Sequence, residues 1–214
     1  MLNKKIYIRE ILLIFILIST ILINGCKSGS ETLKPMISGA AGEVLLVLPD
    51  VQWNGQVGEK FRDFLTQEIP YLPQPEPMFT LVRVTPAGFD KMFFSHRNII
   101  IVKTGSQFKE ARMVVKKDLW AAPQLVVEIE SPSDSALITL INNNGDALVD
   151  RINLAERERI LSNYRSYIEI PIYQDLKNKY HISLTIPKGY SLDVDSTNFA
   201  WIASETPTTS QGIL

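Results

Sequence analysis

Apolar and polar positions along this chain fall into blocks whose length and spacing predict its elements. Glu43-Val44-Leu45-Leu46-Val47-Leu48 is a continuous apolar run closed by Pro49-Asp50. Without alternation, such a run predicts a central strand covered on both faces. Asn98-Ile99-Ile100-Ile101-Val102 predicts a second buried strand and Gln124-Leu125-Val126-Val127-Glu128-Ile129 a further one. Between them the period changes. Val57, Phe61, Phe64, Leu65 and Ile69 recur at helical spacing with Glu59, Lys60, Arg62 and Asp63 on the other side, predicting an amphipathic helix over 57–69 that ends at Pro70. The prolines from Pro70 to Pro77 fix φ and remove four donors, giving an extended connector before a strand over Met78 to Val84.

Further along, Phe89, Met92 and Phe93 suit a short helical turn, and 108–120 has no clean period, so it reads as an irregular or edge region carrying Trp120. Ser131-Pro132-Ser133-Asp134 opens a helix, with Ser131 as cap and Asp134 near the positive end of the dipole, and Asn142-Asn143-Asn144-Gly145 stops it. A second, polar helix is expected over about 147–169, with Leu148, Ile152, Ala155, Leu161, Tyr164 and Ile168 on one face and a break at Pro171. His181–Ile186, a Pro187-Lys188-Gly189 turn and Asn198–Ala203 read as a hairpin-like β segment. The order β-α-β-β-β-α-α-β-β predicts an α+β fold, a mixed β-sheet with helices packed on it. The closing Ser210-Gln211-Gly212-Ile213-Leu214 resembles the first step of another strand, so truncation at the C-terminus is expected. The folded part is placed at 43–214, with 43–145 a candidate first α/β half and 146–214 an incomplete second half.

The first residues follow a different pattern. Lys4, Lys5 and Arg9 precede Ile11 to Ile23, thirteen residues interrupted only by Ser19 and Thr20. A membrane-crossing helix needs about 20 apolar residues, whereas a basic segment followed by 7 to 15 apolar ones is the layout of a secretory signal. Ile23-Asn24-Gly25-Cys26 then sets a small residue directly before the only cysteine and resembles a lipobox, although Asn24 departs from the small or apolar residue usual there. The expectation is a signal peptide over 1–25, lipid attachment at Cys26, and a tether over 26–42 whose Lys27–Pro35 is rich in Ser, Gly and Lys. Lipidation would account for a lone cysteine in an exported chain and leave none for disulfides, thiolate catalysis or sulfur-bound metal.

Composition is that of an ordinary globular chain, 45% hydrophobic and 21% charged. Without residues 1–25, 19 basic and 22 acidic residues remain, a net charge of −3, which recruits neither nucleic acid nor anionic lipid. No cofactor and no metal site are expected: there are two histidines, and His181 has no matching carboxylate spacing. His96 follows Ser95, but neighbours on a strand point to opposite faces, so His96 is read as a loop histidine. Gly39-Ala40-Ala41-Gly42 precedes a strand and lacks the strand-loop-helix context of a phosphate cradle. Asp50, Trp53 and Asn54 are the candidate ligand-binding residues, because they follow the carboxyl end of the first strand. The plainer reading makes Trp53 a packing lid.

Gly42-Glu43-Val44, Trp53-Asn54-Gly55-Gln56-Val57-Gly58, Leu72 to Phe79, Arg97-Asn98-Ile99 and Ile182 to Tyr190 together resemble the domain-of-unknown-function family 4837. That resemblance implies a bacterial envelope lipoprotein, similar from about residue 38 onward and longer than this chain, and it brings no catalytic residue. Two functions are expected from these features. The first is a lipid-anchored, non-catalytic binding or structural module on the periplasm-facing side of the outer membrane, with an envelope protein, cell-wall polymer or small ligand as partner. The second is an envelope hydrolase using loop carboxylates such as Asp50, Glu76 or Asp90 on a cell-wall or small-molecule substrate.

Overall fold

In a computed structural model of the chain, residues 33–214 are described, so the expected signal peptide, Cys26 and the first part of the tether lie outside the described residues. The three apolar runs become the middle of a five-stranded sheet. β1 (Glu43–Val47), β2 (Thr80–Val84), β3 (Asn98–Thr104), β4 (Arg112–Lys117) and β5 (Leu125–Ser131) stand in the order β2-β1-β3-β5-β4. β1 runs parallel to β2 and β3, β3 parallel to β5, and β4 antiparallel to β5. The sheet is mixed and the fold α+β, as the sequence predicts.

The unbroken apolar runs are explained by what covers them. After β1 come the single turn α1 (Asp50–Trp53) and the helix α2 (Gln56–Leu65); α3 (Asp134–Arg165) follows β5. Val44, Leu46, Ile100, Val127 and Ile129 pack against Val57, Phe61 and Leu65 of α2 and Leu137, Ile141, Leu148 and Ile152 of α3. Leu45, Val47, Ile99 and Val126 face the other way, under loops that contribute Phe89, Phe93, Leu119 and Trp120. Beyond those loops this second face carries charge, with Lys116 on Glu128 (2.7 Å) and Arg112 on Glu130 (2.6 Å). Those pairs belong to β4, a regular edge strand within the segment expected to be irregular.

Two expected boundaries move. Ser133, not Ser131, caps α3, its Oγ accepting from Ala136 N at 3.2 Å, and Ser131 closes β5. α3 then runs unbroken for 32 residues through Asn142-Asn143-Asn144-Gly145, so residues 145 and 146 both lie inside it. Gly145 does not stop the helix; a Cβ there would lie 2.5 Å from the Phe64 ring, and glycine is what lets α2 approach.

The remaining residues build a smaller layer. α4 (Ile170–Tyr180) starts with Pro171 in its first turn, and Ile172 and Leu176 meet Ile186 and Ile202. β6 (Ser191–Asp195), β7 (Ala200–Glu205) and β8 (Ser210–Ile213) form an antiparallel sheet in that order. The strand expected at 181–186 is absent: Ile186 is buried in this second core, but the segment has no ladder partner. At the other end of the described chain, Met36 and Ser38 bridge Ala122 and His96, so the expected tether is already part of the fold from Pro35.

Candidate functional site

Asp50, Trp53 and Asn54 occupy one loop at the carboxyl end of β1, the position at which parallel sheets commonly hold ligands. The fold brings two arginines to them. Arg83 of β2 forms an ion pair with Asp50, and its Nε donates to the carbonyl of Leu48 at 3.2 Å. Arg62 of α2 lies over the Trp53 indole, 4.5 Å from the ring centre, and donates through Nη1 to the Trp53 carbonyl at 3.1 Å. Arg83 reaches the same ring at 6.0 Å. A Cβ on Gly58 would lie 2.0 Å from the Trp53 carbonyl oxygen, so only glycine lets the first turn of α2 close onto α1. Trp53 is half-buried against the helix-side core, whereas Asn54 is exposed and caps α1, its N–H donating to the Asp50 carbonyl at 3.0 Å. Asp50 and Trp53 therefore share an arginine, and Asn54 contributes through its backbone.

Sequence reasoning missed the residue that ties this end together. The buried Gln52 donates through Nε2 to Thr104 Oγ1 at 2.9 Å and to Asp134 Oδ1 at 2.5 Å, linking the ends of β1 and β3 to the first turn of α3. Asp134 also sits where the helix dipole favours a carboxylate.

A second polar cluster lies at the amino ends of the same strands. His96 Nε2 meets Glu43 Oε1 at 2.6 Å and Nδ1 meets the Asn98 carbonyl at 3.2 Å. Asn98 Nδ2 donates to Glu156 Oε1 at 2.7 Å and to the Glu43 carbonyl at 2.9 Å. Two guanidiniums share the Glu156 carboxylate: Arg97 Nη2 at 2.6 Å and Arg159 Nη1 at 2.9 Å. Burial pushes the Arg159 guanidinium below its ordinary value; the Glu156 carboxylate opposes that shift and the charge of Arg97 adds to it. Arg97 Nε is buried with no hydrogen-bond partner among the described residues. His96 is thus a buried partner of Glu43 as well as a loop residue. The sequence signal was the polar Arg97-Asn98 directly before an apolar run, with Glu156 and Arg159 one helical turn apart.

The other candidates stay apart. Glu76 is exposed on the proline connector, and Asp90 is exposed with Oδ1 accepting from Met92 N at 2.9 Å. His181 takes a left-handed φ of 58° as the C-cap of α4. Among the described residues no three or more His, Cys, Asp or Glu side chains are grouped to hold a metal ion. An apolar cavity of about 180 Å³ lies in the smaller layer, lined by Leu176, Tyr180, Ile182, Leu184, Phe199 and Ile213 among others. No helix among the described residues is long and apolar enough to cross a membrane.

These features define a class, an α+β protein whose mixed sheet carries two helices on one face and ordered loops on the other. The chain belongs to the family described as domain of unknown function DUF8532, whose model matches residues 38–165. The match opens at Ser38, where the chain bridges His96, and closes at Arg165, the last residue of α3. It overturns the resemblance to family 4837. One of the motifs behind that resemblance, Ile182 to Tyr190, lies outside the matched residues, and the others are strand-entry, connector and helix-start segments. No curated protein and no solved structure matches the chain.

Proposed function

We propose that this protein is a lipid-anchored, non-catalytic binding or bracing module of the cell envelope, held on the periplasm-facing side of the outer membrane. The observation that carries the reading is the basic Lys4, Lys5 and Arg9, the thirteen-residue apolar run, and Gly25 before the only cysteine. In lipoprotein processing the Cys26 thiol displaces the head group of a phospholipid, forming a thioether to diacylglycerol and releasing glycerol phosphate. Water then cleaves the Gly25–Cys26 bond, and the new amine takes an acyl chain from a second phospholipid, releasing the lysophospholipid. Several acyl chains hold a water-soluble domain where one would bind only marginally. Lys27 after Cys26 supports onward transport, since it is not the acidic residue that retains a lipoprotein in the inner membrane.

The polar clusters are consistent with a bracing role, because their charges are spent on one another: Asp50 on Arg83, Glu43 on His96, Glu156 on two arginines. The partner is an envelope protein, a cell-wall polymer or a small ligand, reached through the loop around Trp53. Labelling native-host cells with a fatty acid and measuring chain mass in wild type and Cys26→Ser tests the anchor. The wild-type chain is expected to carry label and to lack residues 1–25, and the variant to carry no label and to keep them; equal labelling or equal processing of both would refute the reading. Cross-linking before extraction tests the partner, and a reproducible adduct weakened by Trp53→Ala is expected.

A further inference from the structure

We infer that the loop-covered end of the domain, around Met36, Met92 and Trp120, rests against the lipid surface that holds the anchor. The inference deepens the reading above and rests on it, since a bilayer is within reach only if Cys26 is acylated. The place where the chain enters the fold decides which end lies nearest the lipid. Cys26 lies eight residues before Lys34, and eight residues span at most about 30 Å even fully extended. β3, which runs from Asn98 at the amino end to Thr104 at the carboxyl end, covers about 20 Å, so the length of the leash alone does not choose an end and the point of entry does.

The point of entry is fixed by four contacts. Lys34 Nζ donates to the Asp118 carbonyl, Ala122 N to the Pro35 carbonyl at 3.0 Å, Ser38 N to the Ser95 carbonyl at 2.8 Å, and Arg97 N to the Ser38 carbonyl at 3.0 Å. The chain therefore enters by gripping the two loops that cover the second sheet face. Those loops meet through rings: Phe94 stacks on Trp120 at 4.6 Å, and Phe89 lies 5.3 Å from Phe94 and 5.9 Å from Trp120.

Two large apolar side chains on these segments are left in water, Met36 at 76% exposure and Met92 at 74%. Met36 is bridged to Ala122, two residues from Trp120, and Met92 lies two residues before Phe94, so the stacked pair holds both segments together. The exposed Lys91, beside the exposed Asp90, and Lys34, held by the Asp118 carbonyl, are the lysines of this rim. Thioether, aromatic ring and lysine in one rim are the groups that settle at a bilayer interface. The far end, with Asp50 and the 84%-exposed Val51, is left free for a partner.

The test uses the full-length acylated chain in vesicles of phosphatidylcholine with one-fifth phosphatidylglycerol, doped with phosphatidylcholine carrying a doxyl group near the head. Met92→Cys and Val51→Cys each offer a single thiol for bimane, because Cys26 is consumed by lipid. Quenching several-fold stronger at position 92 than at 51 is expected. Brominated lipid provides a second measurement on chains without an added cysteine: its quenching of intrinsic fluorescence should persist in Trp53→Phe/Trp201→Phe, which keeps only Trp120, and be absent from Trp120→Phe/Trp201→Phe, which keeps only Trp53. Metabolic labelling of Cys26 with an alkyne fatty acid separates the two ways to fail. Label present with equal quenching at both thiols, or bromine quenching as strong in the chain that keeps only Trp53 as in the one that keeps only Trp120, overturns the orientation alone; no label overturns the anchor and the orientation together.

Discussion

Replacing Gly145 with alanine sets two effects against each other. In the interior of a helix alanine is favoured over glycine by about 1 kcal/mol, so propensity alone makes Gly145→Ala a stabilising change. The added Cβ would lie 2.5 Å from the Phe64 ring, well inside the ~3.5–4.0 Å of ordinary carbon contact. Either the ring turns away or α2 and α3 separate by about 1 Å, and forced overpacking of this kind costs ~1–3 kcal/mol. Sterics should win, for a net loss of up to ~2 kcal/mol and a drop in Tm of about 2–4 °C per kcal/mol in a domain this size. Urea and thermal unfolding followed by circular dichroism on the full-length chain give both numbers. The companion variant fixes the cause. In a Phe64→Ala background the alanine at 145 has room, so its effect should reverse to a gain of up to ~1 kcal/mol, a coupling of ~1–3 kcal/mol. If Gly145→Ala is as stable as wild type, or more so, with Phe64 in place, the close approach of the two helices is not what selects glycine here.

Other perturbations separate structural charge from surface charge. Glu156→Gln leaves Arg97 and Arg159 buried without a counter-charge and should cost ~3–5 kcal/mol in urea unfolding; a loss below ~1 kcal/mol would show that water compensates the guanidiniums. Asp50→Asn removes only a solvent-exposed ion pair with Arg83 and is expected to change stability by less than ~1 kcal/mol in the same assay. The Asp195 carboxyl is held below its ordinary value of 3.8 by hydrogen bonds from Lys179 and then Tyr180. A depressed folded value means a contribution that is present above the ordinary carboxylate range and lost as pH falls through the lower folded value, so β6 should loosen from α4 only in acid below about pH 4. Carboxyl-shift titration by NMR should show Lys179→Gln returning Asp195 toward 3.8, and no change would remove that lysine as the cause.

What the sequence showed and hid follows from the range of the forces involved. The runs at 44–48, 99–102 and 125–129 were legible because burial on both faces removes all alternation, and α2 because its apolar stripe is local. The break assigned at Asn142–Gly145 was wrong for a tertiary reason: the glycine answers to Phe64 on another helix, and a C-cap glycine looks the same in sequence. β4 was hidden by Val114 and Val115 side by side between charged residues whose partners, Glu128 and Glu130, sit on the neighbouring strand. At the candidate site, Asp50 and Trp53 were found from strand-end logic, but Arg62 and Arg83 reach them from separate elements. Gln52 looked like an ordinary polar turn residue until its partners Thr104 and Asp134 were in place. The amino-end cluster draws on Glu43, His96 to Asn98 and Glu156 to Arg159, and no spacing rule joins three such distant segments.

The anchor at Cys26 is the claim on which location and orientation both rest, and the intact mass of the protein purified from its native host tests it most directly. A mature chain that begins at Cys26 and carries a diacylglyceryl group and an additional acyl chain is expected. A mass that includes residues 1–25 with a free thiol would contradict it.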